Sequence, residues 1–195
     1  MSFRGVVSSI FGASPPTGLS VTSERLLRLA PGGSPAIANG IARRFDGLAR
    51  EHDVDTRLRI CHFLAQAAHE TDGFRTLEEY GGASYFVRYE GRQDLGNNQA
   101  GDGVRYHGRG IFQLTGRANY RRFGKILGID LEAEPERAKE PGTSLAVAFA
   151  YWSERAINTA ADVDDVAAVT RLINGGRNGL AERARYLEKA KGIWG

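Results

Sequence analysis

Cysteine is nearly missing from this chain of 195 residues, which contains a single one, Cys61. One thiol excludes an internal disulfide, and this absence fits folding in a reducing compartment. Cys61 lies inside an apolar helical pattern, so we interpret it as a small core residue. The chain also lacks an apolar run long enough to span a bilayer, and we therefore expect no stable membrane insertion.

Lysine is scarce as well, since only four of the 26 basic residues are lysine and the arginines are spread along the chain. The formal net charge of +3 is a weak indication of anionic partners such as cell-wall polymer or nucleic acid. No nucleic-acid-binding motif accompanies it, so we expect no nucleic-acid partner. Hydrophobic and charged fractions of 42% and 25% are ordinary for a globular protein and exclude disorder as a general description.

The N-terminal segment, MSFRGVVSSIFGASPPTG, is a poor secretory signal because Ser8 and Ser9 interrupt its short apolar patch. The run SPPTG that closes the segment is typical of a linker. We therefore predict a flexible extension over residues 1–20. Residues 21–195 are long enough to bury a core and are predicted to form one domain.

Helical periodicity dominates most of that domain. It predicts helices that start at Thr22 or Ser23, run from the Ser34-Pro35 cap to about residue 52, follow an Asp55 cap to residue 70, and cover residues 117–127, 143–157, 163–172 (capped by Asp162) and 180–191. The helix that ends near residue 70 is apolar on two faces, which indicates a central, buried helix. Residues 71–110 instead predict long loops, with a small β-hairpin near residues 105–114. The whole pattern predicts helices around one loop-rich cleft.

Two glutamates flank this change of pattern. Glu70 leaves the central helix at the edge of the core, where partial desolvation disfavours ionisation, as a general acid requires. Glu90 follows on a polar loop, where solvent favours the carboxylate. Hydrolysis of a glycosidic bond uses one carboxyl of each kind. Glu78 and Glu79 are rivals for the second role, and Glu70 could instead only cap or salt-bridge its helix.

The sequence His69-Glu70 also begins the zinc motif HExxH. Gly73 occupies the position of the second histidine, however, and no third ligand accompanies His62. We therefore expect no metal and no cofactor.

A glycine-rich block, GDGVRYHGRGIFQLTGRANY, covers residues 101–120. Its five glycines predict a backbone that comes close to another group, and their spacing fits neither a phosphate loop nor a dinucleotide fingerprint. Gln113, Thr115 and Asn119 are polar groups that could bind sugar amides or hold a water molecule. Thr115 and Asn119 could equally be ordinary cap and turn residues.

Three segments, AHETDGF, the stretch from YEGR to RANY over residues 89–120, and INGG before an arginine-containing helix, resemble glycoside hydrolase family 19. The resemblance is to its chitinases, and more to the endolysins of phages and prophages. It implies a mainly α-helical, bilobal, lysozyme-like fold, with a small β-hairpin lining a substrate cleft. It also implies an inverting mechanism in which water displaces the leaving sugar, so that residues 21–195 form one catalytic domain.

The resemblance assigns roles to individual residues. It implies that Glu70 is the general acid, that Glu90 is the base and that Thr115 holds the attacking water, with Glu79 as an alternative base. Residues expected to contact the sugar are Gln113, Asn119, Asn174 and Tyr106, and residues expected to support the acid are Arg183 and His69.

The substrate implied is a β-1,4-linked polymer of N-acetylated hexosamines. The chain lacks the disulfides of secreted plant chitinases, which favours bacterial peptidoglycan; chitin or chito-oligosaccharide is the alternative, and a non-catalytic glycan-binding protein is a further one. We expect a monomer that is made in the bacterial cytoplasm and acts on the cell wall or periplasm after release, because no clear signal peptide is present.

Overall fold

The structure is a computed structural model that describes residues 18–195. The predicted extension over residues 1–20 lies almost entirely outside this range. Within it, the carbonyls of Gly18 and Ser20 accept hydrogen bonds from Arg25 at 2.5 and 2.9 Å. No helix in the described range is both long and apolar enough to cross a membrane.

The described residues are mainly α-helical, as predicted. The helices are α1 (Ser23–Leu29), α2 (Pro35–Glu51), α3 (Arg57–Glu70), α4 (Ala83–Phe86), α5 (Asp102–Arg105), α6 (Arg117–Leu127), α7 (Pro141–Glu154), α8 (Asn158–Asp162), α9 (Val166–Asn174) and α10 (Leu180–Ile193), with 3₁₀ turns at Val87–Tyr89, Gln93–Leu95 and Pro135–Lys139.

Helix α3 is the central helix that its two apolar faces predicted. Every residue from Ile60 to Ala68 is buried, and the helix packs against α10, α8 and α9. Its N-cap is Thr56, whose hydroxyl accepts the Arg59 amide, and not Asp55 as predicted. Either side chain can cap a helix, so the composition alone did not decide between neighbours.

Helix α7 separates two hydrophobic cores. Leu145, Phe149 and Trp152 belong to the larger core, which also contains the buried side chains of α1, α2 and α3. Val147 and Ala150, on another face of α7, belong to a smaller core with Tyr120 and residues from α6 and the loops around it. A helix shared by two cores is apolar on nearly all sides. The result is two lobes joined through α7.

Two predicted elements differ in the structure. The helix predicted over residues 163–172 with an Asp162 cap begins later, as α9 at Val166, because Asp164 adopts a left-handed φ of 57° and the cap is Asp165. The β-hairpin near residues 105–114 is reduced to two isolated bridges, in which Arg109 pairs with Glu78 and with Leu114. Positive φ angles at Gly110 and Gln113 turn the chain too sharply for a longer ladder.

Candidate active site

Glu70 is the last residue of α3, and its side chain is 18% exposed. Arg183 of α10 donates from Nη2 to Oε1 of Glu70 over 2.5 Å. The Arg183 side chain is only 2% exposed. The structure therefore places Arg183 where a residue that supports Glu70 must lie, although its role in catalysis stays a prediction.

Arg183 is itself held by two further groups. Its Nη1 donates to Oε1 of Gln66 over 2.5 Å, and its Nε donates to the carbonyl of Asn178 over 3.1 Å. Gln66 in turn donates to the hydroxyl of Thr170 on α9 over 3.3 Å. A buried cation with this many partners has little freedom to move. The network consequently fixes the Glu70 carboxylate against three helices.

His69 joins α3 to the start of α10. Its Nδ1 lies 2.6 Å from Oε2 of Glu182. Its ring fills the space beside Gly179, where an added Cβ would come within 2.2 Å of the imidazole. Gly179 also has a left-handed φ of 71°, so glycine is required twice over. His69 thus anchors the helix that carries Arg183.

Glu79 lies on the loop that follows α3, and its side chain is 17% exposed. We call the loop-rich segment over residues 71–116 the loop wall, and the packed helices α3, α9 and α10 the helical wall. Its Oε1 accepts hydrogen bonds from Arg88 over 2.5 Å and from the Tyr89 hydroxyl over 2.9 Å. Its Oε2 accepts the backbone amide of Gly108 over 3.1 Å. The Arg88 guanidinium lies over the ring of Tyr85 at 3.7 Å and that of Tyr89 at 4.7 Å. The Glu79 carboxylate is thus oriented by an arginine that stacks between tyrosines.

Gly108 brings Glu79 next to Gln113. A Cβ on Gly108 would lie 2.5 Å from Oε1 of Gln113 and 3.0 Å from Oε2 of Glu79, so both side chains converge on this one backbone position. Gln113 has a φ of 49°, which is unusual for a residue other than glycine. Strained residues of this kind concentrate at functional sites. Glu79 and Gln113 therefore form one cluster at the surface of the loop wall.

Glu90 is exposed, as predicted, but both carboxylate oxygens are engaged with backbone. Oε1 accepts the amide of Gly101 over 2.5 Å, and Oε2 accepts the amide of Gly103 over 2.7 Å. These bonds hold the turn that precedes α5. The prediction that Glu90 is the base stays untested, and that role would require Glu90 to give up at least one of these bonds.

Tyr151 and Phe112 connect the two walls. The ring of Tyr151 on α7 packs against Phe112 with centroids 5.6 Å apart, and Phe112 directly precedes Gln113. Burial raises the pKa of the Tyr151 hydroxyl, and the negative charge of Glu70 raises it further. The Tyr151 hydroxyl donates to the carbonyl of Ile173, and the adjacent Asn174 shares the carbonyl of Asn178 with Arg183, the partner of Glu70. These contacts connect the surroundings of Glu70, through the two rings, to the loop that carries Gln113.

Thr115 lies in the turn that carries Gln113, and Asn119 lies in the first turn of α6. The Thr115 hydroxyl donates to the carbonyl of Gln113 over 2.9 Å, and Asn119 donates to the carbonyl of Thr115 over 2.8 Å. Both side chains are partly exposed. They stabilise the turn, as the capping alternative predicted, and the hydroxyl oxygen of Thr115 keeps acceptor capacity for a water molecule.

Asn174 lies in a different loop, after α9. Its side chain donates to the carbonyl of Asn178 over 3.0 Å and accepts the amide of Gly176 over 2.8 Å. Since Asn178 also accepts from Arg183, Asn174 shapes the loop that helps to hold the arginine. The structure does not bring Asn174 into contact with Gln113 or Asn119.

Tyr106 does not lie where a sugar could reach it, contrary to the prediction. It is 1% exposed, its ring packs against Tyr120, and its hydroxyl donates to the carbonyl of Glu132 over 3.0 Å. The smaller core needs large side chains, and Tyr106 supplies one of them. The polar, glycine-rich motif suggested a sugar contact for this tyrosine because the local sequence does not show whether a side chain is buried.

Sequence reasoning missed Arg88, Gln66 and Gly108, which position the two carboxylates. Gln66 lies four residues before Glu70 on α3, so its helical face was available from the spacing. Gly108 was recognised only as one of five glycines. Arg88 directly precedes the YEGR motif around Glu90, but nothing in a loop sequence predicts which distant carboxylate it contacts.

The chain is similar to known proteins in family, in sequence and in structure. A family model of glycoside hydrolase family 19, described as "Chitinase class I", matches residues 36–178 of the chain. Over 179 residues the chain is 31% identical to a "Glycosyl hydrolase family 19 domain-containing protein" of Haemophilus influenzae, an alignment that covers 77% of this chain and 88% of that protein.

Plant proteins are also similar. An acidic endochitinase of Petunia hybrida is 32% identical over 172 residues, covering 76% of this chain and 64% of that protein. For the acidic endochitinase Q of Nicotiana tabacum, with 30% identity over 145 residues, the shares are 64% and 53%. The chain thus spans between about half and two thirds of the length of these plant relatives.

Among solved structures, chitinase C from Streptomyces griseus superposes with a TM-score of 0.71 at 22% identity, covering 91% of this chain and 93% of that chain. A class IV chitinase from Zea mays gives a TM-score of 0.59 at 22% identity, covering 85% and 84%. At this level of identity the likeness shows a common fold.

Proposed function

Because the chain belongs to glycoside hydrolase family 19, we propose that it cleaves β-1,4 bonds between N-acetylated hexosamines by an inverting mechanism, with Glu70 as general acid and Glu79 as general base. The family model and the relative in Haemophilus influenzae confirm that the chain is a glycoside hydrolase of the family that its motifs resemble. The solved structure of chitinase C confirms the mainly helical, lysozyme-like fold. The observation that carries the residue assignment is that each of these two carboxyls is partly sheltered from solvent and is bonded to its own arginine.

Glu70 protonates the glycosidic oxygen as the bond between that oxygen and C1 breaks. The proton leaves a carboxylate at Glu70, and Arg183 lies 2.5 Å from it to stabilise the new negative charge. Because this charge develops only as the proton is transferred, the interaction favours the transition state more than the bound substrate. Arg183 thereby makes proton donation easier without having to move.

Glu79 accepts a proton from water as the water oxygen attacks C1 from the opposite face. Its Oε2 is oriented by the Gly108 amide, the Gln113 side chain converges on the same glycine, and the Thr115 hydroxyl donates to the carbonyl of Gln113. The balance is complete: water contributes hydroxyl to one product and its proton to Glu79, while the proton of Glu70 goes to the other product. We place Glu79 above Glu90 because the oxygens of Glu90 are both used by backbone amides.

Within this chemistry, we propose peptidoglycan as the polymer that is cut, by a monomer that reaches the cell wall or periplasm after release. The support is the single cysteine, the small positive net charge and the motifs shared with endolysins. Chitin is the alternative, and the relatives named as chitinases favour it.

Mass spectrometry of the products from purified sacculi and from colloidal chitin separates the substrates. We expect muropeptides or glycan fragments cut between N-acetylated hexosamines from sacculi, and fewer products from chitin. Glu70→Gln is the matched control and should release neither. If products appear from chitin alone, chitin and not peptidoglycan is the substrate. If the wild-type protein cuts neither polymer, the hydrolase proposal is contradicted.

A further inference from the structure

Arg155 follows the last residue of α7 and is exposed beside the candidate site. Its guanidinium carbon lies 3.8 Å from the centroid of the Tyr151 ring. Among residues 18–195 it forms no ion pair, although the neighbouring carboxylate of Glu154 is close in sequence. That carboxylate is paired instead with Arg122 over 2.7 Å. Arg155 thus combines a fixed orientation with a free charge.

Tyr151 links Arg155 to the candidate site, because its ring lies under the Arg155 guanidinium and packs against Phe112, the residue before Gln113. The Tyr151 hydroxyl donates to the carbonyl of Ile173 over 2.7 Å, one residue before Asn174. Arg155 therefore lies at the end of α7, near both the loop that carries Gln113 and the loop after α9.

The other two arginines of the site are already occupied. Arg183 pairs with Glu70 and Arg88 pairs with Glu79, so neither is free to bind a charged substrate in the resting protein. Arg155 differs because stacking on an aromatic ring orients a guanidinium while its N–H donors remain available. A donor set of this geometry matches a carboxylate, which it can bind through two parallel hydrogen bonds.

We propose that Arg155 binds a carboxylate carried by the substrate near the scissile bond and so selects anionic peptidoglycan over neutral chitin. The inference rests on the proposed function and names the substrate class of the same site. In peptidoglycan the carboxylate belongs to the peptide attached to the lactyl group of N-acetylmuramic acid, or to the lactyl group itself where the peptide has been removed. Chitin carries neither group.

The pre-orientation of Arg155 explains how one residue can distinguish a charged glycan from a neutral one. A guanidinium that is already stacked loses little further freedom when it binds, so more of the charge-assisted hydrogen bonding contributes to affinity. A neutral chito-oligosaccharide offers only hydroxyls and amides, which an exposed arginine binds no better than water does. Arg155 should therefore alter KM for charged substrates and leave kcat nearly unchanged.

The test compares Arg155→Gln with Arg43→Gln, which removes an exposed arginine of α2 that forms no ion pair with any residue from 18 to 195. Substrates are a neutral chito-oligosaccharide, soluble glycan strands with their peptides, and the same strands after the peptides are removed by an amidase. We expect Arg155→Gln to raise KM for at least one class of charged strand about tenfold, as expected for loss of a charge-assisted hydrogen bond. Values for the neutral substrate, and all values for Arg43→Gln, should stay within about twofold of wild type, as expected for surface substitutions.

A binding arm makes the result independent of turnover. In the Glu70→Gln background, calorimetry should show that Arg155→Gln weakens binding of the charged strands and not of the chito-oligosaccharide. If Arg155→Gln weakens the binding of charged and neutral substrates equally, Arg155 only packs against Tyr151 and the inference is wrong. An unchanged KM on every substrate would also overturn the inference. If the wild-type protein cuts only the neutral substrate, the inference fails while the hydrolase stands; if it cuts nothing, the proposed function fails as well.

Discussion

The two walls of the site each carry a glutamate bonded to an arginine over 2.5 Å, yet the two pairs are built differently. On the helical wall, Arg183 is 2% exposed and Glu70 18% exposed. On the loop wall, Arg88 is 44% exposed, although Glu79, at 17%, is as sheltered as Glu70. Arg183 is held by Gln66 and a backbone carbonyl, whereas Arg88 is held by stacking on tyrosine rings.

The difference indicates what each wall can do during a reaction. Removing one partner of a buried pair strands a charge in the interior, so the Arg183 pair is expected to stay closed. An exposed pair gives little stability and separates at small cost, so Arg88 can release Glu79 when water or sugar arrives. We infer a fixed acid on the helical wall and an adjustable base on the loop wall. The following substitutions test this contrast.

The largest effect is expected from Glu70→Gln. Glutamine preserves the shape and a hydrogen bond to Arg183 but cannot donate a proton to the leaving oxygen, so kcat should fall by about 10²- to 10⁴-fold. Steady-state hydrolysis of a chito-oligosaccharide or of soluble glycan strands measures this. Activity close to that of the wild-type protein would remove Glu70 from the acid role.

Arg183→Gln should damage both stability and activity, because it leaves Glu70 and Gln66 without their common partner. Breaking a buried, hydrogen-bonded ion pair costs about 3 kcal/mol, and the partial exposure of Glu70 makes this an upper value. Urea denaturation measures the loss. Arg183→Lys is the control that keeps the charge, and it should recover part of the stability. A stability unchanged by either substitution would contradict the idea of a rigid helical wall.

Gly108→Ala should lower kcat by about tenfold to a hundredfold, since its methyl group would push Glu79 and Gln113 apart. The two groups are flexible side chains, so the fold should tolerate the change. Circular dichroism and a melting curve check this, and kinetics on a soluble substrate give the loss. Gly47→Ala, at a helical position with open space around it, is the matched control. Full activity of Gly108→Ala would mean that the cluster does not act as a unit.

Arg88→Gln is expected to have the smallest effect. Because the pair with Glu79 is exposed, the melting temperature should stay close to that of the wild-type protein. Loss of the bond from Arg88 should leave the Glu79 carboxylate less well oriented beside Gly108, so kcat should fall by less than about tenfold. Steady-state kinetics and a melting curve measure the two quantities. A markedly unstable variant, or a loss of kcat as large as that of Glu70→Gln, would show that the two walls are less different than proposed.

The helical wall was largely predictable and the loop wall was not, for a physical reason. Helical spacing predicted Glu70 at the end of a buried helix, because helices repeat their contacts at fixed intervals. The resemblance predicted Arg183 on the helix after INGG, and the structure brings it within 2.5 Å of Glu70. In the loops, the side chains bond to backbone amides that are more distant in the sequence. The amides of Gly101 and Gly103, for example, donate to Glu90, and the spacing of residues 71–110 does not predict these hydrogen bonds.

Tyr106 and the small β-hairpin show the same limit. Burial of Tyr106 depends on a core formed with Tyr120 and Leu131, which lie in other segments. The hairpin depended on a continuous ladder, but the chain turns at Gly110 and Gln113 and pairs its amides elsewhere: the Ile111 amide bonds to the hydroxyl of Ser144 on α7. The local sequence predicted a turn here but could not predict which distant groups its backbone amides would bond.

The most direct test of the account compares Glu79→Gln with Glu90→Gln in kcat on one soluble glycan substrate. If Glu79 is the base, Glu79→Gln lowers kcat by about 10²- to 10⁴-fold, whereas Glu90→Gln loses charge-assisted hydrogen bonds to the loop and mainly lowers the melting temperature. The reverse ranking, with Glu90→Gln inactive at full stability and Glu79→Gln active, would contradict the assignment.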